Sequence, residues 1–376
     1  MVMLPFTDKI DHLLSLSPYG QAPGAKDSSL LELFKDELGY ECQRHSGYRN
    51  YVEHWPLPYE IAERVSDLPY LPVGILKSNP PLSFVSEQEV KRTLTSSATT
   101  SQAPSRVVLD AETSRRMTKG TVVILRDFIG SARRPYLVVD TSGQTAGRSE
   151  LGARGAAIQG LQPFATETKY CLRSDDDGNL ALDVELLVEF ADKYRDTEVL
   201  IYGFTYILWT HLVQPLIAQN MCLNLHKVRI LHSGGWKRLQ DQAVHKDHFN
   251  RQLAQVVGCP SSSIVDFYGM VESVGVIFPD CDQGNKHAPV YSDVIVRDAL
   301  TLKPVAEGEL GIVQVCSVLP TSFPGNLLLT EDMARVVAYD GCACGRRGIS
   351  FHFAGRVPKA EVRGCGNIDS KRVAAN

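Results

Sequence analysis

The chain carries no excess of basic residues. Its 39 Lys and Arg stand against 43 Asp and Glu, a formal net charge of −4, so the electrostatic footprint of a nucleic-acid binder is missing. It also lacks any apolar run near the ~20 residues that span a bilayer. The longest greasy stretch, 199–216, is interrupted by Tyr202, Gly203, Thr205, Thr210 and His211. No charged segment followed by an apolar one opens the chain, which argues against a secretory signal. Nine cysteines, an odd number without the rhythm of a secreted framework, fit a reducing compartment. No internal repeat is found. These absences point to a soluble cytoplasmic protein, with no nucleic acid and no membrane span among its partners. At 376 residues and 44% hydrophobic content it can bury a substantial core.

What is present begins with pattern. Residues 29–38 place Leu30, Leu31, Leu33, Phe34 and Leu38 on one helical face. A second helical pattern covers 185–194, followed by a buried strand at 199–204. Two further strands, 228–231 and 264–267, end in glycine turns. Strand, glycine turn and helix in recurrence is the rhythm of an α/β protein with sites at strand ends. After Asp293 the pattern becomes short alternating strands, with turns at Glu307-Gly308 and Asp340-Gly341, and predicts a β-rich lobe. The division expected is 1–290 as an α/β core, 291–355 as a β-rich lobe, and 356–376 as a short tail.

Cys281-x5-His287 and Cys342-x-Cys344 form two half-sites. Three thiolates and one imidazole suit a closed tetrahedral zinc site, because they fill all four positions and leave none for substrate. Scattered cysteines of a reduced protein are the competing reading. Cys365 stands apart on the polar tail.

Residues 95–101 are a hydroxyl-dense segment, and Ser96, Ser97, Thr99 and Thr100 are candidate phosphate contacts. Such runs also serve as solvated linkers. His232-Ser233-Gly234-Gly235-Trp236-Lys237 follows a strand, and its paired glycines admit a close backbone approach to a ligand. In Asp266-Phe267-Tyr268-Gly269-Met270-Val271-Glu272 an aromatic ring can lie against a flat base, and Glu272 can hold Mg2+ on phosphates. An ordinary strand-to-helix turn explains either motif equally well. Asp332 and, further on, Arg356 supply an acid for ribose hydroxyls and a cation to brace ribose or phosphate. Phe204, Trp209 and Tyr268 are possible pocket-lining rings, with core packing the better reading of the first two.

Taken in order, the hydroxyl-rich loop, Gly-Gly turn, Tyr-Gly-x-x-Glu, Thr-Glu-Asp and Gly-Arg resemble the adenylate-forming ligase superfamily. Within it the chain is most similar to the bacterial bioluminescence acyl-protein synthetase family, over nearly its whole length. Pro18-Tyr19, Leu71-Pro72-Val73, residues 231–237, 266–272, 328–332, Cys344-Gly345-Arg346 and 355–365 carry the likeness. The resemblance implies a layered α/β large domain with a β-rich lobe, ATP and Mg2+ as cofactors, and a carboxylic, typically fatty, acid as substrate. It implies that an acyl-adenylate forms and that Cys365, flanked by Gly364 and Gly366 and near Arg363, takes the acyl group before a reductase-like partner does. The Cys281/His287/Cys342/Cys344 pattern is similar to a structural Zn2+ site of related ligases.

Two departures shape these expectations. Ala98 and Ser101 stand where the family loop has glycines, which weakens the expected phosphate grip. Only twenty residues follow Arg356, so the C-terminal lid domain of typical relatives, and its adenylate-contacting lysine, is not expected; Lys237 and Lys359 are the nearest substitutes. A stand-alone ligase that hands its product to CoA or a carrier protein, and a non-catalytic scaffold of a reductase complex, are the alternative readings.

Overall fold

A computed structural model describes residues 5–96, 104–144, 150–175, 179–236, 243–273 and 275–357. Helices α1 (Thr7–Leu13), α2 (Pro23–Arg44) and α3 (Ser46–Glu53) open the chain. The second is longer at both ends than the apolar stripe predicts. Proline at its first position is preorganised for a helical start, and its last turns carry the polar face onward. The stripe that packs inward includes Glu37 and Glu41 as well as Leu30, Leu33, Phe34 and Leu38.

Strand β1 (Leu71–Pro72) precedes a hairpin of β2 (Arg92–Thr95) and β3 (Arg106–Leu109). Helix α4 (Ala111–Ile129) starts where the Asp110 carboxylate accepts the Thr113 N–H at 2.7 Å, an N-cap. Then come β4 (Arg134–Val138), β5 (Glu150–Gly152), α5 (Ala153–Leu161), β6 (Ala165–Tyr170) and the small hairpin β7 (Leu172–Ser174) and β8 (Leu180–Leu182). Helix α6 (Val184–Lys193) is capped by Asp183 and leads into β9 (Val199–Phe204). Helix α7 (Thr205–Leu208) passes through a π turn at Trp209–Val213 into α8 (Gln214–Ala218). Strand β10 (Val228–Ser233), helix α9 (Lys246–Val257) and strand β11 (Ile264–Tyr268) complete the α/β run. Gly258, in the left-handed region at φ +84°, ends α9.

These strands make a sheet of order β12-β11-β10-β9-β4-β6, parallel except for the short β12 (Phe278–Pro279). Every residue of β4 and β9 is buried, as expected of parallel strands covered on both faces. Chain order reverses direction between β4 and β9, and ligands of open α/β sheets bind beyond the carboxyl ends of strands at such switch points.

Strands β13 (Lys286–His287), β14 (Ser292–Arg297), β15 (Leu310–Ser317), β16 (Leu327–Ala338) and β17 (Ser350–Arg356) form an antiparallel sheet of order β13-β17-β16-β15-β14. Strand β1 joins it by pairing with β16, so the sheet draws two short strands from before residue 291. Phe204 and Trp209 are buried in the core of the parallel sheet. No helix of the described residues is long and apolar enough to cross a membrane.

Candidate active site and metal centre

The pairing of β16 with β17 sets Asp332 opposite Arg356. The Arg356 Nε lies 3.6 Å from Asp332 Oδ1, and the Tyr268 hydroxyl donates to Asp332 Oδ2 at 2.8 Å. Thr330 fixes the backbone beneath: its hydroxyl donates to Val313 O at 2.7 Å and accepts the Asp332 N–H at 3.1 Å. Burial raises the Asp332 carboxyl above its ordinary range, against the pull of Tyr268 and Arg356. Glu272 sits buried on the turn after Gly269, where its charge also bears on Asp332 and Tyr268. Asp332, Arg356 and the Tyr268–Glu272 turn, which the sequence places in three separate motifs, thus converge at the carboxyl end of β11. Gly269 has Ile277 tight against it, 3.2 Å from where a Cβ would stand.

The β2–β3 hairpin bears on the same place, because β3 lies against the turn that carries Glu272. At its neck the Ser96 N–H donates to Ser105 O at 3.0 Å, and the Ser96 hydroxyl accepts the Ser105 N–H at 2.8 Å. Ser96 therefore closes the neck of the hairpin. Ser97, Thr99, Thr100, Lys237 and Cys365 lie outside the described residues, as do Ala98, Ser101 and Lys359.

The Ser233 hydroxyl is hydrogen-bonded to the Tyr202 hydroxyl at 3.0 Å. Gly234 follows at φ +77° with the Phe204 ring 3.3 Å from a notional Cβ, so only glycine makes this turn without strain; a Cβ on Gly235 would meet open space. The two glycines are not equivalent.

Sequence reading missed a charged network around Asp266. Lys286, 3% exposed, donates to Asp280 Oδ1 at 2.9 Å and to Asp266 Oδ2 at 3.4 Å. Lys246 pairs with both acids, and His232 Nδ1 lies 2.9 Å from the Thr205 hydroxyl and 3.7 Å from Asp266 Oδ1. A cleft of about 900 Å³ opens beside this network, lined among others by Lys246, Asp266, Lys286, Arg346, His352 and Phe353. At the β4/β9 switch point Asp140 and Arg154 form a second missed pair, with Arg154 Nε donating to Asp140 Oδ2 at 2.7 Å. Position at a strand end was the one available signal for either group.

Cys281, His287, Cys342 and Cys344 come together with their ligand atoms all within 4.8 Å of one another. His287 Nε2 is 3.4 Å from Cys344 Sγ. Burial, with help from the Arg346 cation, lowers the His287 imidazole to about 4 and keeps it neutral, the form that binds a metal. Two N–H groups point at the sulfurs: Asn285 Nδ2 at 3.3 Å from Cys342 and the Arg346 backbone at 3.4 Å from Cys344. Such donors stabilise thiolates. A tetrahedral zinc with bonds of about 2.0–2.3 Å needs a cluster of this size and donor set, and these residues fit it. Arg346 ties the knuckle to α4 through Asp127 at 2.6 Å and the Phe128 ring at 4.1 Å.

A family model described as acyl-protein synthetase, LuxE, matches residues 7–374. The chain belongs to that family. It is 24% identical over 341 residues to the long-chain-fatty-acid–luciferin-component ligase of Vibrio harveyi, covering 89% of this chain and 85% of the relative. It is 22% identical over 312 residues to the ligase of the same name from Aliivibrio fischeri, covering 81% and 78%. An open conformation of 2-hydroxyisobutyryl-CoA ligase in complex with 2-HIB-AMP and CoA superposes with a TM-score of 0.68 at 14% identity, over 91% of this chain and 77% of that one. The fold is that of the adenylate-forming ligases, and the chain is an enzyme of the ligase class.

Proposed function

We propose that the chain activates a fatty acid with ATP and transfers the acyl group to its own Cys365. In the first step a carboxylate oxygen attacks the α-phosphorus of ATP, an acyl-phosphate bond forms and pyrophosphate leaves. In the second the Cys365 thiolate attacks the acyl carbon, a thioester forms and AMP leaves. A reductase-like partner then receives the acyl group. In this reading residues 1–290 are the adenylation core, 291–355 its β-rich lobe and 356–376 the acceptor tail.

The observation that supports it is the convergence of Asp332, Tyr268 and Glu272 at the carboxyl end of a parallel sheet, in a chain of this family. Asp332 would take the ribose hydroxyls, with Arg356 bracing, and Glu272 would hold Mg2+ on the phosphates. Gly234 and Gly235 would let the backbone approach, and Ser96, Ser97, Thr99 and Thr100 would lie toward the phosphates. Lys237 is the proposed cation at the adenylate. Zn2+ in the Cys281/His287/Cys342/Cys344 cluster would be structural, stapling the β13–β17 edge without taking part in either step.

Incubation with ATP, Mg2+ and a radiolabelled fatty acid is expected to give hydroxylamine-labile acyl-protein. Label retained in full by Cys365→Ser would move the acceptor elsewhere; pyrophosphate release that depends on added CoA or carrier protein and survives that change would support the stand-alone ligase.

A further inference from the structure

The cleft of about 900 Å³ runs from the amino ends of β10 and β11, at Arg229, Ser261 and Ile264, to the cysteine and histidine cluster. Two of the three clustered cysteines, Cys281 and Cys344, line it, and Cys342 does not. Cys344 is half-buried and Cys281 is 6% exposed, so the cleft gives a small solute its way to one sulfur with the other directly behind. An accessible thiolate backed by a second cysteine is the arrangement that oxidises reversibly.

The two ligand-bearing turns have room to move. A Cβ on Gly284, between Cys281 and His287, or on Gly345, next to Cys344, would meet no atom within 4 Å. In a tetrahedral site with Zn–S bonds of about 2.3 Å the two sulfurs stand roughly 3.8 Å apart. A disulfide needs about 2.05 Å, so they must close by less than ~2 Å. Cys342 is a poorer partner for Cys344, because a bridge between residues two apart strains the ring it closes.

We propose that Cys281 and Cys344 are an oxidation site: hydrogen peroxide entering by the cleft joins them in a disulfide and frees the zinc. This assignment rests on the zinc reading above. Coordination keeps both sulfurs as thiolates. The Cys344 thiolate attacks one peroxide oxygen, the O–O bond breaks, and the hydroxide that leaves takes up a proton. The Cys281 thiolate then attacks the sulfenic sulfur of Cys344, the S–S bond forms, the S–O bond breaks, and a second hydroxide becomes water. Two thiolates lose two electrons and one peroxide gains them. Cys342 and His287 alone then cannot hold the ion. The change reaches past the cluster, because Asp280 and Lys286 flank Cys281 and His287 and both hold β11. The Asp280 N–H donates to Asp266 O at 2.8 Å, and Lys286 reaches Asp266 Oδ2 at 3.4 Å.

The test is a titration of the full chain with hydrogen peroxide, with released zinc read by a chromogenic chelator and disulfides mapped by mass spectrometry. About one zinc per chain is expected to leave as a Cys281–Cys344 bridge appears and the melting temperature falls. Dithiothreitol with added zinc is expected to reverse all three. Zinc retained at a peroxide dose that already oxidises the exposed Cys222 would overturn the assignment, as would release accompanied by a different bridge or by none. Cys281→His keeps four ligands but cannot form the bridge; its zinc is expected to survive peroxide, and release equal to wild type would count against the pair. Cys344→His is the mirror variant where the first does not load metal. Wild type that takes up no zinc at all would instead remove the zinc reading, and this assignment with it.

Discussion

Replacing Glu41 by glutamine is expected to flatten the dependence of stability on pH. Glu41 lies 1% exposed on the inner face of α2, where Asn326 Nδ2 donates to both carboxyl oxygens at 3.0 Å. Burial pushes its carboxyl up to about 8 from the ordinary 4.5, with Asn326 and Tyr48 opposing. Glu37, one turn back and also wholly buried, is raised as well, by burial first and then by Glu41, against the Arg116 cation. In the folded protein Glu41 is therefore protonated at neutral pH, whereas the unfolded chain releases that proton above about 4.5. Its contribution to stability is full below that value and falls as pH rises toward 8. A gap of 8 − 4.5, or about 3.5 units, corresponds to an upper bound of about 5 kcal/mol across the window. Glutamine mimics the neutral acid and does not titrate. Urea denaturation of wild type and Glu41→Gln at pH 5.0, 6.5 and 8.5 checks this, because titrating groups not coupled to Glu41 cancel in the difference. The variant is expected to gain on wild type steadily with pH; parallel stability curves would refute the reasoning.

Other consequences follow from the same geometry. Gly234→Ala forces a side chain into the left-handed region against Phe204 and is expected to cost about 1 kcal/mol or more and to weaken ATP binding, read as a raised KM for ATP. Tyr268→Phe removes a hydrogen bond to a carboxylate, worth about 1.5–3 kcal/mol, and is expected to lower ATP affinity while leaving the stack of its ring on Phe353 in place, measured by calorimetry. Purified protein is expected to hold about one zinc per chain by metal analysis, and Cys342→Ser to lose it together with thermal stability; a metal-free sample that melts like wild type would remove the zinc.

Much of the fold was legible because it follows from simple periodicity. The 199–204 strand is a continuous apolar run, and it appears as β9 with those bounds. The strands expected at 228–231 and 264–267 appear slightly longer, extending through Ser233 and Tyr268, because polar residues continue the ladder beyond the apolar segment. The cysteine and histidine half-sites were readable from ligand chemistry, although His287 and Cys344 are 57 positions apart. Hidden from the sequence were the buried charges that lie outside the motifs. Glu37, Glu41 and Lys286 carry no sequence signal of burial, since periodicity treats polar positions as outward-facing and tertiary packing overrides it. The covering of Tyr268 was hidden for the same reason: a motif fixes the ring's place in the chain, while Phe278 and Phe353 reach it from other strands.

The central claim, a nucleotide held at Asp332 while a fatty acid is adenylated, is tested most directly by acid-dependent exchange of labelled pyrophosphate into ATP. Wild type is expected to exchange only when fatty acid and Mg2+ are present, and Asp332→Ala to lose most of that exchange while keeping its fold by circular dichroism. Exchange at the wild-type rate in Asp332→Ala, or none in wild type with any fatty acid, would contradict the account.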